Sequence, residues 1–149
     1  MTFKISNTKW NMCGELIEKK LDDIMIGPYV GVSFPNKPPC EPTPEQIDRA
    51  IREKGFDKRG YQEYVKELTD EWNRGGATSQ EYNQREQEYH ARRIADFAAN
   101  GWQDAPILKK DGRSVHGGLH RLKAAKHLGK KTVKVQIMCE DVRDWDGRN

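Results

Sequence analysis

The chain has 149 residues, 33% charged and 35% hydrophobic, with a formal net charge of +3. That length favours one domain able to bury a core, and four Trp, five Tyr and four Phe argue against a disordered chain. No apolar run is long enough to cross a bilayer, and residues 1–10 lack the hydrophobic stretch of a secretory signal, so the sequence predicts a cytoplasmic protein with no membrane partner.

Taken in chain order, residues 15–26 carry apolar side chains at Ile17, Leu21, Ile24 and Met25, the spacing of a short helix or a helix-to-strand transition. Gly27-Pro28 punctuates it, and residues 29–34 alternate as a strand would. Five prolines between 35 and 44 mark an extended loop. Thr43 then offers an N-cap, with Pro44 in the first helical position and Gln46 as capping-box partner. One helix is predicted over 44–54, stopped at Gly55. A second is predicted from 57 or 58 to 74, with Tyr61, Tyr64, Val65, Leu68 and Trp72 on one stripe. A third spans 79–100, capped by Ser79 and closed at Asn100-Gly101, its Glu-, Gln- and Arg-rich first half facing solvent.

After Trp102 the pattern changes. Residues 105–108 read as a strand, and Asp111-Gly112 signals a hairpin leading to a strand at 114–116. A helix follows over 118–128, with Leu122, Ala125 and Leu128 on one face and Gly129 past its end. Residues 132–138 alternate, placing Val133, Val135 and Ile137 inward and Lys134 and Gln136 outward. Residues 139–149 form a peripheral tail. The fold class is therefore expected to be α+β: a single domain over 1–149, its core at 105–138, with a helical insertion at about 44–100. Cys13, Cys40 and Cys139 lack the spacing of a disulfide framework or zinc cage and are expected to be reduced thiols.

Charge is uneven. Residues 105–138 hold nine Lys or Arg and one acid, a local charge of +8, against −5 for the remainder. Such a concentration suits an anionic partner. Within it, the run from Val115 to Ala125 ends a strand, turns on Gly117-Gly118 and starts a helix. The first amides of a helix have no partner within it and carry the positive end of its dipole. Glycine lets a phosphate approach without meeting a Cβ, while Arg121 supplies a fork for phosphate oxygens and His120 a further donor. Basic residues in a first turn oppose the dipole, so an anion there would offset their cost. Those parts suffice for an anion site.

The segment Pro106-Ile107-Leu108, the hairpin, the run Gly118-Leu119-His120-Arg121-Leu122-Lys123-Ala124-Ala125, Leu128-Gly129 and the strand Thr132-Val133-Lys134-Val135 together resemble the core of the ParB/sulfiredoxin superfamily. Gly117, Gly118, His120 and Arg121 match the Gly-Gly-Cys-His-Arg run of sulfiredoxin in register, and the resemblance extends loosely upstream through residues 93–97, Gly101 and Pro106. It implies a small mixed sheet with packed helices that binds ATP or CTP, with or without Mg²⁺, the phosphates lying on Gly117, Gly118, Leu119, His120, Arg121 and Lys123. Arg92 or Arg93 on the preceding helix would add a contact. His120 would be a phosphate ligand or proton carrier and Arg121 would neutralise charge in transfer. Leu119 stands where sulfiredoxin has its nucleophilic Cys, which argues against sulfinic acid reductase activity. Gly117 and Leu119 stand where relatives carry Asp or Glu, so a catalytic carboxylate would come from elsewhere, Asp111 or Asp96, or the site would bind without catalysing. No helix-turn-helix follows the core, which argues against a complete ParB partition protein.

The leading expectation is thus an ATP- or CTP-dependent phosphotransferase or hydrolase. A second is a nuclease-like or non-catalytic protein that holds DNA or RNA through the basic 105–138 segment. A third is a non-catalytic, virus-encoded interaction factor whose helices at 44–100 bind a protein partner. Other groups have plainer readings. Glu86 and His90, four residues apart, suit a metal or acid–base pair but fit a solvated helix face better, so no metal ligand is expected. Asp141, Asp144 and Asp146 fit no EF-hand. Tyr61, Tyr64, Trp72 and Tyr82 have the spacing of core residues before that of a base-stacking platform.

Overall fold

The computed structural model describes residues 16–29, 40–76 and 78–139. The fold class is α+β, as the sequence predicts: four α-helices and one four-stranded mixed sheet among the described residues. The chain divides into two compact units. One comprises residues up to 26 and from 100 onward, the other residues 27–99.

The first unit holds the sheet. Its strands are β1 (Ile17–Lys20), β2 (Ile107–Leu108), β3 (Val115–Gly117) and β4 (Thr132–Ile137), in the spatial order β1-β4-β2-β3. β4 is antiparallel to β1, with Ile17 opposite Val135, and parallel to β2, with Ile107 opposite Gln136. β2 and β3 form the hairpin expected from Asp-Gly. Its turn is closed by Lys109 N–H to Ser114 O at 2.8 Å and Gly112 N–H to Lys109 O at 2.8 Å, with Gly112 at φ +71°. Helix α4 (Leu119–His127) joins β3 to β4 and buries Leu122, Ala124 and Ala125. Gly129, at φ +75°, carries the chain past its end.

Residues 17–20 form a strand that runs into a short 3₁₀ turn at Leu21–Asp23, where the apolar spacing suits a short helix or a helix-to-strand transition; the strand is set by pairing with β4 more than a hundred residues away, which a local pattern does not contain. Gln136, expected to face outward, is 2% exposed, while Ile137 is only half-buried. β4 is an interior strand, where alternation no longer separates a wet face from a dry one. Cys139 is disulfide-bonded, contrary to the expectation of three reduced thiols, whereas Cys40 is a buried free thiol.

The second unit is helical. Helix α1 (Pro44–Glu53) begins with the predicted capping box: Gln46 N–H donates to Thr43 Oγ1 at 3.2 Å, and Thr43 N–H donates to Gln46 Oε1 at 2.8 Å. It ends at Lys54, which takes the left-handed conformation (φ +53°) one residue before Gly55. Helix α2 (Tyr61–Asn73) starts later than predicted. Asp57 holds residues 57–59 in a turn, its Oδ1 accepting from Arg59 N–H at 3.0 Å and its carboxylate pairing with the Arg59 guanidinium. Helix α3 (Ser79–Asn100) matches its predicted span, but Thr78 supplies its capping hydroxyl, accepting from Glu81 N–H at 3.2 Å. Its first half is not solvated along its whole circumference: Tyr82, Glu86, Tyr89 and His90 are all buried. Tyr64 and Leu68 of α2 pack with Tyr82 and Tyr89 of α3, and the Tyr64 and Tyr89 rings stack at 4.1 Å. The strand expected at 29–34 and the carboxylates expected at 141, 144 and 146 lie outside the described residues, apart from Tyr29.

Candidate anion-binding site

The β3–α4 junction carries the predicted glycine pair, and the two glycines have different reasons to be there. Gly118 is the residue before α4 and sits at φ +88°, a conformation costly for any side chain. A Cβ there would also lie 2.8 Å from Pro106 Cα and 2.9 Å from Arg121 Nη1. Gly118 is therefore required by the backbone and by close packing. Gly117, in contrast, ends β3 opposite Ile107 and has no positive φ. A Cβ on it would meet nothing within 4 Å. Packing against the described residues does not demand a glycine at 117; it leaves open space beside the turn.

α4 starts from this turn, its first interior bond running from Leu122 N–H to Gly118 O at 3.0 Å. The amides before Leu122 belong to the helix start that has no partner within the helix. Its first turn contains no acid, and the Arg121 guanidinium folds back over Gly118. Gly117, Gly118, Leu119, His120 and Arg121 are all partly accessible. Lys126 and His127 occupy the last turn, where positive charge favours the helix regardless of any ligand. The basic residues that a helix dipole does not explain are those at its beginning.

The remaining predicted residues fall differently. Lys123 is only 9% exposed and lies on the buried side of α4. Asp111 is held in the hairpin: its carboxylate accepts from Ser114 Oγ at 2.6 Å and from the amides of Ser114 and Arg113, each at 2.8 Å. Those hydrogen bonds, the Ser114 hydroxyl foremost, hold its pKa down at about 2, which makes it a weak proton acceptor at neutral pH. Arg92 belongs to the second unit, where it pairs with Glu88 one turn earlier on α3. Asp96, in that same unit, is paired with Lys58 at 3.2 Å and Arg93 at 3.7 Å. Arg93 also lies over the Phe97 ring, 4.5 Å from its centroid.

One group the sequence reading set aside is assembled by the second unit. Glu86 and His90, expected on a solvated face, are each 1% exposed, and Cys40 is 0% exposed beside them. Glu86 and His90 belong to the buried stripe Tyr82, Glu86, His90, Ile94, four residues apart throughout. Two polar residues in phase with apolar ones were the available signal. Nothing local linked them to Cys40, which is 46 residues before Glu86.

No family model, characterised protein or solved structure matches this chain.

Proposed function

We propose that the first unit binds the phosphate groups of a nucleoside triphosphate at the β3–α4 turn. The observation that carries this reading is Gly117, a glycine with open space at its side where neither φ nor packing requires one, one residue before Gly118, over which the Arg121 guanidinium folds at the helix start. A phosphate approaching Gly117 would meet no Cβ, accept hydrogen bonds from the first-turn amides and pair with Arg121. His120 supplies a further donor from the same turn. In phosphoryl transfer these groups would stabilise the charge that develops on the equatorial oxygens. Asp111 serves the hairpin and Asp96 its ion pairs, so binding is the activity these residues support most directly. The ParB/sulfiredoxin resemblance agrees with this location and rests on the same residues.

Calorimetric titration with ATP, CTP and a short DNA duplex, with and without Mg²⁺, tests the proposal. Nucleotide binding is expected, weakened about tenfold to a hundredfold by Arg121→Ala, the scale of a hydrogen bond to a charged group (~1.5–3 kcal/mol). Gly117→Ala should weaken binding while leaving thermal stability near that of the parent chain. Absence of nucleotide binding by the folded chain would overturn the reading. Strongly salt-dependent DNA binding alone, reduced slightly by each lysine substitution, would replace it with a backbone-binding role for the basic segment.

A further inference from the structure

Cys40, Glu86 and His90 offer a thiol sulfur, a carboxylate oxygen and an imidazole nitrogen that all lie within 4.8 Å of one another. Cys40 Sγ donates to Glu86 Oε2 at 3.1 Å. All three side chains are fully buried, and the rings of Tyr29, Tyr61 and Tyr89 lie around His90. Burying three ionisable groups at one point is costly unless their charges are neutralised together.

The surroundings hold each donor in place. Glu86 and His90 project from one face of α3 at positions i and i+4, the spacing by which a helix presents two ligands to one ion. The segment bearing Cys40 is fastened on several sides. Cys40 N–H donates to Tyr29 O at 3.1 Å, Tyr29 N–H donates to Glu41 Oε1 at 2.9 Å, and Gln87 Nε2 donates to Glu41 O at 2.9 Å. The His90 ring stacks against Tyr29 with centroids 3.7 Å apart and planes 3° from parallel, which fixes its orientation. Tyr61 Oη donates to Glu86 Oε1 at 3.1 Å, leaving Oε2 on the side of the thiol. This is the arrangement of three directed donors with an outer hydrogen bond orienting the carboxylate.

We propose that this cluster is a binding site for a zinc-type divalent transition metal. Sulfur, nitrogen and oxygen donors together suit a borderline ion and not Mg²⁺ or Ca²⁺, which prefer oxygen alone. Bonds of about 2.0–2.3 Å around a tetrahedral ion separate donors by roughly 3.3–3.8 Å, so closure from the present separations is a matter of side-chain adjustment. On binding, the Cys40 S–H bond breaks, the proton passes to the solvent buffer and the sulfur pair forms the metal bond. Thiolate, carboxylate and neutral imidazole then balance the dication. Three protein donors leave one coordination position for water.

The test uses the full chain with its disulfide intact, freed of metal by a chelator and titrated with Zn²⁺ or Co²⁺. One ion per chain is expected, with release of about one proton, a rise in the unfolding temperature and, for Co²⁺, a thiolate-to-metal charge-transfer band. Cys40→Ser should abolish that band, and His90→Gln should weaken binding at least a hundredfold. Tyr61→Phe removes only the outer hydrogen bond from a side chain at the helix surface, so it will fold even where a ligand variant does not; it should weaken binding about tenfold, within the range for such partners. The proposal is overturned if the folded parent chain takes up neither ion in stoichiometric amount, if the cobalt complex lacks a thiolate band, or if folded Cys40→Ser binds as tightly as the parent.

Discussion

Gly117 and Gly118 are adjacent and chemically identical, yet substitution should separate them. Gly118→Ala forces a side chain into the left-handed region, at a cost of about 1–2 kcal/mol, and drives a Cβ to 2.8 Å from the Pro106 backbone. Its unfolding midpoint should fall well below that of Gly117→Ala in parallel urea titrations; equal midpoints would show that the turn rearranges. Asp111 behaves differently, since its role depends on pH. Its folded-state pKa, about 2, lies below that of an unfolded aspartate. Its contribution is therefore complete above about pH 4 and is lost as pH falls through its folded pKa. The carboxyl carbon shift of Asp111 should titrate near pH 2, and Asp111→Ala should speed hydrogen exchange at the Arg113 and Ser114 amides at neutral pH.

Elements were legible where a short-range signal carried its own cause. The capping box at Thr43 and Gln46 started α1 where expected, and both of its bonds form. Thr43→Ala should cost about 1 kcal/mol, visible as a lower unfolding temperature with Glu45→Ala as a neighbouring control. The Asp-Gly hairpin and α4 were equally clear. Ends were less so. Lys54 takes the left-handed position one residue before Gly55, and a hydroxyl cap comes from Thr78, one residue before the predicted start, within the one or two residues by which helix ends are defined. The start of α2 moved to Tyr61 because the Asp57–Arg59 turn competes with the helix for the same backbone groups.

At the level of the whole molecule, the sequence disclosed the α+β class and the glycine-turn region of the candidate anion site, since both lie within one continuous stretch. It could not disclose β1, whose partner is β4, nor the meeting of Cys40 with Glu86 and His90. Each depends on residues brought together from distant parts of the chain, and periodicity describes only neighbours. The same limitation explains Gln136: alternation tells which side of a strand a residue takes, while the elements covering that side are supplied by other segments.

The strand order has a consequence for how this protein is made. β4 occupies the middle of the sheet, and Thr132 reaches across 114 residues to bond with Glu18. During synthesis, β1 and the β2–β3 hairpin emerge from the ribosome before the strand that must lie between them, so the sheet stays open until β4 has been made. The helices at 44–100, built largely from neighbouring contacts, have no such wait, and local contacts form fastest. A nascent chain arrested before residue 132 should therefore carry helical structure alongside unpaired strand edges, the state in which a chaperone would find most to hold.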